Sequence, residues 1–159
     1  MGTPEAQLPP STRVPGIVVL REVVASAGDA AVMLLEARGF SQGCLLEFMA
    51  VARPGPVGSS PVLGVDFGSG VLLPCAEAAA PDRGRAVHRL ADEGGSAAPA
   101  DSEAARGVRA RLWVTPLPPA EGFTVVSDWP EYGIEGQRAY VSSEAIRIAA
   151  WESFPCLPA

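Results

Sequence analysis

Residues 17–52 read IVVLREVVASAGDAAVMLLEARGFSQGCLLEFMAVA and carry the strongest structural signal in the chain. The stretch contains three apolar runs, Ile17–Ala25, Ala30–Ala37 and Cys44–Ala52, the second of which is entered through Gly28-Asp29. The first run is rich in β-branched residues and mostly apolar on both phases, which is typical of a strand near the middle of a sheet. Gly-Asp is a turn signal between strands. The stretch therefore predicts three successive β-strands.

Similar patterns continue towards the C-terminus. Val62–Phe67 alternates apolar and other residues and is followed by Gly68-Ser69-Gly70, a three-residue hairpin connection. Near the end, Ser142 and Ser143 are capping residues, and Glu144 stands in the first turn of a helix, where the macrodipole favours an acid. The elements predicted after residue 60 are strands at Val62–Phe67, Val71–Leu73, Val87–Leu90, Val108–Val114, Phe123–Trp129 and Gln137–Ser142 and a helix at Ala145–Trp151 that Pro155 ends. We therefore expect an all-β, mainly antiparallel fold, an immunoglobulin-like β-sandwich of seven to eight strands with a short C-terminal helix.

The distribution of proline, glycine and large apolar residues indicates one domain with two tails. Residues 1–15 are rich in proline and poor in large apolar side chains, so we expect a mobile Pro-rich tail. Residues 76–107 contain no aromatic residue and run through Gly94-Gly95-Ser96, which indicates a long surface loop of biased composition. The expected organisation is a single β-sandwich domain at residues 16–154, including that loop, followed by a tail at 155–159.

The charge and the cysteines exclude several classes of function. A net charge of −6 opposes nonspecific binding to nucleic acid or to an anionic membrane. No apolar run is long enough to span a bilayer and no signal peptide is visible, so we expect a cytoplasmic bacterial protein. Cys44, Cys75 and Cys156 are odd in number and lack a CxxC spacing, which argues against a disulfide framework or a zinc site. We expect no metal and no cofactor.

One motif is typical of hydrolases. Gly39-Phe40-Ser41-Gln42-Gly43 matches G-x-S-x-G, in which a strand-to-helix turn exposes a nucleophilic serine. The catalytic base would have to be His88, the only histidine, with Asp66 or Asp82 to orient it. Only about 38 residues precede the motif, too few for the strands and the oxyanion loop of an α/β-hydrolase. A turn between two strands is the preferred interpretation, and Ser41 with His88 stays the catalytic alternative.

Three motifs resemble those of a known group of proteins. They are Trp113-Val114-Thr115-Pro116-Leu117-Pro118-Pro119, then Asp128-Trp129-Pro130-Glu131-Tyr132-Gly133-Ile134 with the following Arg138, and the Arg38–Gly43 hairpin. Together they resemble uncharacterised actinobacterial β-sandwich proteins that carry Trp-x-x-Pro-Leu-Pro-Pro and acidic-Trp-Pro-x-x-Gly-Ile motifs. The resemblance covers roughly positions 14 to 151 and implies a β-sandwich that ends in a helix. It implies no activity, and the loop at 76–107 is longer than the group's pattern.

The same motifs allow a structural and a binding interpretation. If the strands on either side of Gly133 pair as a hairpin, Asp128 falls opposite Arg138 and forms an opposite-charge cross-strand pair. Trp113 and Trp129 would then pack at the ends of the sheets. The binding alternative is an exposed polyproline II segment beside these tryptophans. Its contact residues would be Trp113, Pro116, Leu117, Pro118, Pro119 and Trp129.

These observations favour a noncatalytic β-sandwich protein that acts as a protein-interaction or assembly module. Its partner would be another protein or a second copy of the chain, bound through a sheet edge or through the Pro-rich segment. Two alternatives remain: a small serine hydrolase that uses Ser41, and a binder of an apolar small ligand between the sheets.

Overall fold

A computed structural model describes residues 9–53, 59–68, 72–74, 86–90 and 106–157 of the chain. The elements in chain order are β1 (Arg13–Val14), β2 (Gly16–Ala27), β3 (Ala30–Phe40), β4 (Gly43–Ala52), β5 (Val62–Asp66), β6 (Leu72–Pro74), β7 (Ala86–Leu90), β8 (Arg106–Thr115), β9 (Phe123–Trp129), a 3-10 turn at Pro130–Tyr132, β10 (Ile134–Val141), α1 (Glu144–Trp151) and β11 (Phe154–Pro155).

The described residues form three antiparallel sheets, the two larger of which pack together, so the predicted all-β sandwich with a short C-terminal helix is confirmed. One sheet has five strands in the order β2-β3-β4-β8-β7, and the other has four in the order β10-β9-β5-β6. Strands β2, β3 and β4 are neighbours because two-residue turns, Gly28-Asp29 and Ser41-Gln42, join them, and such a turn connects only antiparallel strands. After β4 the chain changes sheets after every second strand: β5 and β6 belong to the four-stranded sheet, β7 and β8 to the five-stranded sheet, and β9 and β10 to the four-stranded sheet again.

The core lies between the two sheets and follows the alternation of each strand. On β4 the phase Cys44, Leu46, Phe48 and Ala50 is buried against the other sheet, as its shared apolar character predicts. A second, smaller cluster of Phe40, Leu45 and Trp113 lies on the opposite face of the five-stranded sheet. Its Phe40 and Trp113 rings meet edge to face with centroids 5.7 Å apart.

Helix α1 closes one end of the sandwich. It packs on a pair of glycines, Gly16 and Gly39, which lie opposite each other on β2 and β3. A Cβ on Gly16 would lie 2.0 Å from the Ala149 carbonyl oxygen, and one on Gly39 would lie 2.5 Å from the Ala150 nitrogen. Only glycine therefore allows the helix backbone to approach the sheet this closely. The approach inserts Ile146, which is fully buried, into the core.

The tails differ from the expectation where the structure describes them. Arg13–Val14 pairs with Phe154–Pro155 as a two-stranded antiparallel ladder. The predicted domain at 16–154 therefore leaves out Arg13, Val14 and Pro155, which are paired strand residues. The Arg13 guanidinium also binds the chain just before Phe154, a contact that composition does not reveal. The loop predicted at 76–107 contains β7, which agrees with the strand expected at Val87–Leu90, and it ends at β8. Residues 75–85 and 91–105 lie outside the described residues.

The predicted pair of Asp128 with Arg138 does not form. Arg138 lies opposite Val126, because β10 begins at Ile134, directly opposite Trp129, and not at the predicted Gln137; the register then shifts once between Ile134 and Gln137. Its Nη2 instead donates to Asp66 Oδ2 on β5 at 2.7 Å. The Asp128 carboxylate accepts a hydrogen bond from the backbone N–H of Gly136, inside that irregularity. The motif does not reveal that the turn already ends at Gly133, and the length of the turn sets which residues of β9 and β10 face each other.

Within the described residues no helix is long and apolar enough to cross a bilayer, since α1 has eight residues.

Candidate interaction site

Trp151 is the most exposed large apolar side chain among the described residues. It is 89% exposed at the end of α1, whereas Trp113 and Trp129 are 0% and 2% exposed. The helical period explains the position, because Ile146, Ala149 and Ala150 form the buried face of α1 and Trp151 falls beside it. Burial of a tryptophan side chain contributes strongly to folding stability, and an exposed tryptophan lacks that contribution. Its exposure therefore marks the end of the sandwich closed by α1 as a candidate interaction site.

A groove of about 350 Å³ lies on one side of Trp151, and we call it the Arg13 groove. The Arg13 side chain is held in place, because its Nη2 donates to the Ser153 carbonyl oxygen at 2.9 Å and lies 3.4 Å from Ser153 Oγ. Arg13 Nε is buried and has no acceptor among the described residues. The groove is lined by Arg13, Ser41, Leu117, Ala150, Trp151 and Ser153.

A second groove, of about 380 Å³, lies on the other side of Trp151, and we call it the Arg147 groove. Arg147 donates from Nη1 to the Pro118 carbonyl oxygen at 2.8 Å, which fixes the Pro-rich segment against α1. Ile148, one turn before Trp151, is 55% exposed in this groove. The lining residues are Ala120, Ser142, Glu144, Arg147, Ile148 and Trp151. Trp151 thus lines both grooves. Among the described lining residues, the Arg13 groove contains one cation and no carboxylate, whereas the Arg147 groove contains Arg147 and Glu144.

The binding residues expected from the sequence are only partly at this site. Leu117 lines the Arg13 groove, and Pro116 is exposed. Pro118 is buried and Pro119 half-buried, so the segment is not a free polyproline ligand.

The two tryptophans of the expected binding surface are buried in the sheets. Trp113 packs against Phe40, and its Nε1 has no hydrogen-bond partner among the described residues. Trp129 donates from Nε1 to Ser59 Oγ at 3.1 Å and meets Tyr132 edge to face at 4.5 Å. Neither ring offers a face to a partner in this structure. Both occupy the packing positions of the structural interpretation.

Ser41 does not lie in a nucleophile elbow. It forms a two-residue turn with Gln42 between the strands β3 and β4, and its Oγ donates to Gln42 Oε1 at 3.0 Å. His88 on β7 faces Trp113 on β8, which in turn faces Leu45 on β4. Two strand spacings therefore separate His88 from the hairpin strand, on the order of 10 Å. Ser41 and His88 are too far apart for direct proton transfer in this arrangement.

Strand β2 is an edge of the five-stranded sheet, so the prediction that it lies near the middle of a sheet is wrong: one phase of its apolar residues, including Ile17 and Val19, is exposed. Two features oppose its pairing with another chain. The register of β2 shifts between Val19 and Glu22 and again between Val23 and Ala25, which interrupts the regular spacing of its backbone hydrogen-bonding groups. Arg21, inside the first shift, adopts a φ of 55°. At the far end, Gln137 of β10 accepts from the Ser26 N–H at 3.0 Å and donates to its carbonyl oxygen at 2.9 Å. Addition of a partner's strand to this edge is therefore disfavoured. The surface around Trp151 is the better candidate for contact with a partner.

Other site chemistry is sparse among the described residues. Burial raises the pKa of the Cys44 thiol, which keeps it protonated and unreactive. No cluster of three histidine, cysteine, aspartate or glutamate side chains is found in the described ranges. A depression of about 80 Å³ beside Leu63 and Leu112, in the described part of the chain, is too small for most ligands. Cys75 and Asp82 lie outside the described residues.

The sequence contained part of the signal for this site. Helical spacing puts Ile146, Ala149 and Ala150 on one face and leaves Trp151 off it, but a helix that is apolar on most sides does not reveal which face is buried. Arg13 and Ser41 join the site only through the β1–β11 ladder and the β3–β4 turn, contacts between residues far apart in the chain.

Comparison with protein-family models, with curated proteins and with solved structures finds no match to this chain. The resemblance to actinobacterial β-sandwich proteins therefore stays a prediction.

Proposed function

We propose that this protein is a noncatalytic β-sandwich module that binds a protein partner through the surface around Trp151. One observation carries the proposal: a tryptophan 89% exposed between two grooves of about 350 and 380 Å³. Tryptophan is enriched among the few interface residues that dominate binding free energy. A flat aromatic anchor with a depression on each side is a shape that a partner's side chains fill.

The neighbouring residues support an interface rather than a packing defect. Ile148 of α1 and Phe154 of β11, which lie three residues before and after Trp151, are 55% and 56% exposed. Leu157, beyond β11, is 66% exposed. Four large apolar side chains within ten residues of chain are therefore in water, and binding of a partner at this end of the chain would remove them from it.

The charge of the chain restricts the partner. A net charge of −6 favours a protein over nucleic acid or an anionic membrane surface. A cytoplasmic location and an immunoglobulin-like relationship remain parts of the proposal. The immunoglobulin-like relationship is supported by the packing of two antiparallel sheets.

Affinity capture from the native host, with quantitative mass spectrometry, tests the proposal. The bait is the full chain, and the variants are Trp151→Ala and Val62→Ala. Val62 is a matched control because it is 60% exposed but lies on β5, in the other sheet. We expect specific partners with the wild type and Val62→Ala and their loss with Trp151→Ala. Equal capture by all three baits, or by none, would overturn the proposal.

A further inference from the structure

Among the described residues that line the Arg13 groove, Arg13 alone is charged, and it is a cation. The polar side chains of this lining are those of Arg13, Ser41 and Ser153, and its apolar wall is formed by Leu117, Ala150 and Trp151. No carboxylate stands among these described lining residues. A guanidinium, two hydroxyls and an apolar wall in one depression match a ligand that carries a carboxylate next to an apolar group.

Arg13 is prepared for such a ligand. It forms no ion pair with any carboxylate in the described part of the chain, although the chain has 18 acidic residues against 12 basic ones. Its two bonds to Ser153 immobilise the side chain before a ligand arrives. A fixed guanidinium loses little conformational entropy when it binds a carboxylate, and its planar fork suits the two oxygens.

We propose that the Arg13 groove binds the C-terminal carboxylate of a partner protein whose last residue is apolar. The carboxylate lies on Arg13, with the hydroxyls of Ser41 and Ser153 beside it. The last side chain packs between Leu117 and Trp151. This inference rests on the proposed function and names the class of partner for the same surface.

A terminal carboxylate fits better than the side chain of aspartate or glutamate. In a C-terminal apolar residue the carboxylate and a branched or aromatic group are attached to the same carbon, so both reach one small depression. An acidic side chain offers only methylene groups beside its charge. Capture of a chain terminus is an established mode of peptide recognition.

The test uses two probes that differ only in charge, N-acetyl-leucine and N-acetyl-leucinamide, titrated into ¹⁵N-labelled full chain. The indole N–H signal of Trp151 is the readout, assigned by its disappearance in Trp151→Phe. The buried Trp113 and Trp129 supply internal reference signals. We expect a saturable shift of the Trp151 signal with the acid and affinity for the amide weaker by about ten-fold or more. Equal binding of acid and amide, or no saturable shift with either, would overturn the inference.

Variants locate the charge that matters. Arg13→Gln should reduce affinity for the acid to that for the amide, whereas Arg147→Gln, in the other groove, should leave it unchanged. Arg13→Lys keeps a charge and should bind with intermediate affinity if Arg13→Gln disturbs the β1–β11 ladder. If the two probes bind alike while partner capture still depends on Trp151, this inference fails and the proposed function stands. If the probes bind alike and partner capture does not depend on Trp151, both this inference and the proposed function are overturned.

Discussion

The close contact between α1 and the sheet predicts a large effect of one methyl group. In Gly39→Ala the new Cβ would lie 2.5 Å from the Ala150 nitrogen and 2.8 Å from the Ile146 carbonyl oxygen. Real Cβ atoms essentially never approach so closely, so α1 has to move by about 1 Å to restore ordinary van der Waals distances. We expect the free energy of unfolding to fall.

Two routes give the same size of effect. If α1 stays docked, the strain of overpacking costs about 1 to 3 kcal/mol. If α1 separates from the sheet instead, the burial of Ile146 is lost, which is worth about 1.5 to 3 kcal/mol. The expected loss is therefore about 1 to 3 kcal/mol by either route. Urea denaturation followed by tryptophan fluorescence measures it.

Gly107→Ala is the matched control. Gly107 lies on β8 of the same sheet, and a Cβ there would meet only Met49 Sδ, at an ordinary 3.8 Å. The substitution should leave stability within about 0.5 kcal/mol or raise it by up to about 1 kcal/mol, because alanine restricts the unfolded chain. Equal stability of the two variants would refute the close approach of α1 to β3.

The identity of the clashing atoms allows a second check. They belong to the backbone of α1, so shortening the side chain of Ala150 removes none of them. Gly39→Ala with Ala150→Gly should therefore be less stable than Gly39→Ala alone, since glycine in a helix costs about 1 kcal/mol. Recovery of stability in the double variant would contradict the geometry.

Three further predictions concern other contacts. Arg138→Met leaves Asp66, 7% exposed, without its 2.7 Å partner, and should cost about 1 to 3 kcal/mol in urea denaturation; no change would mean that the pair adds nothing. Gln137→Ala frees the N–H and carbonyl of Ser26 at the edge of β2 and should shift the monomer towards larger species in sedimentation velocity, whereas an unchanged profile would contradict the covering role of Gln137. Because burial raises the pKa of Cys44, its thiol should stay unmodified by iodoacetamide at pH 8 in the native protein and react after denaturation, as peptide mass spectrometry would show; rapid native labelling would contradict its burial.

Local patterns predicted most of the strands. The apolar runs of β3 and β4 and the alternation of β5 and β8 appear where expected, because side-chain period and turn residues act over a few neighbouring positions. Boundaries at the tails were less accurate. Arg13–Val14 and Phe154–Pro155 are too short to be predicted as strands and each lies next to or contains a proline, and they pair only because the fold brings them together.

The candidate site could be predicted only in fragments. The motifs predict Ser41 as a catalytic alternative and Leu117 as part of a Pro-rich binding segment, and both residues line the Arg13 groove. Trp151 was predicted to be helical but without an assigned face. Arg13 was placed in a mobile tail, because its role depends on Ser153, 140 residues away.

The amino-acid sequence by itself determined the fold class, because antiparallel strands and their turns depend on local spacing of apolar, glycine and polar residues. It also determined the helix at the C-terminus. Only the tertiary structure decided that Arg138 binds Asp66 rather than Asp128, because the length of the β9–β10 turn sets which residues of the two strands face each other. It also decided that Trp113 and Trp129 are buried and Trp151 exposed, because burial depends on which surfaces of distant elements meet.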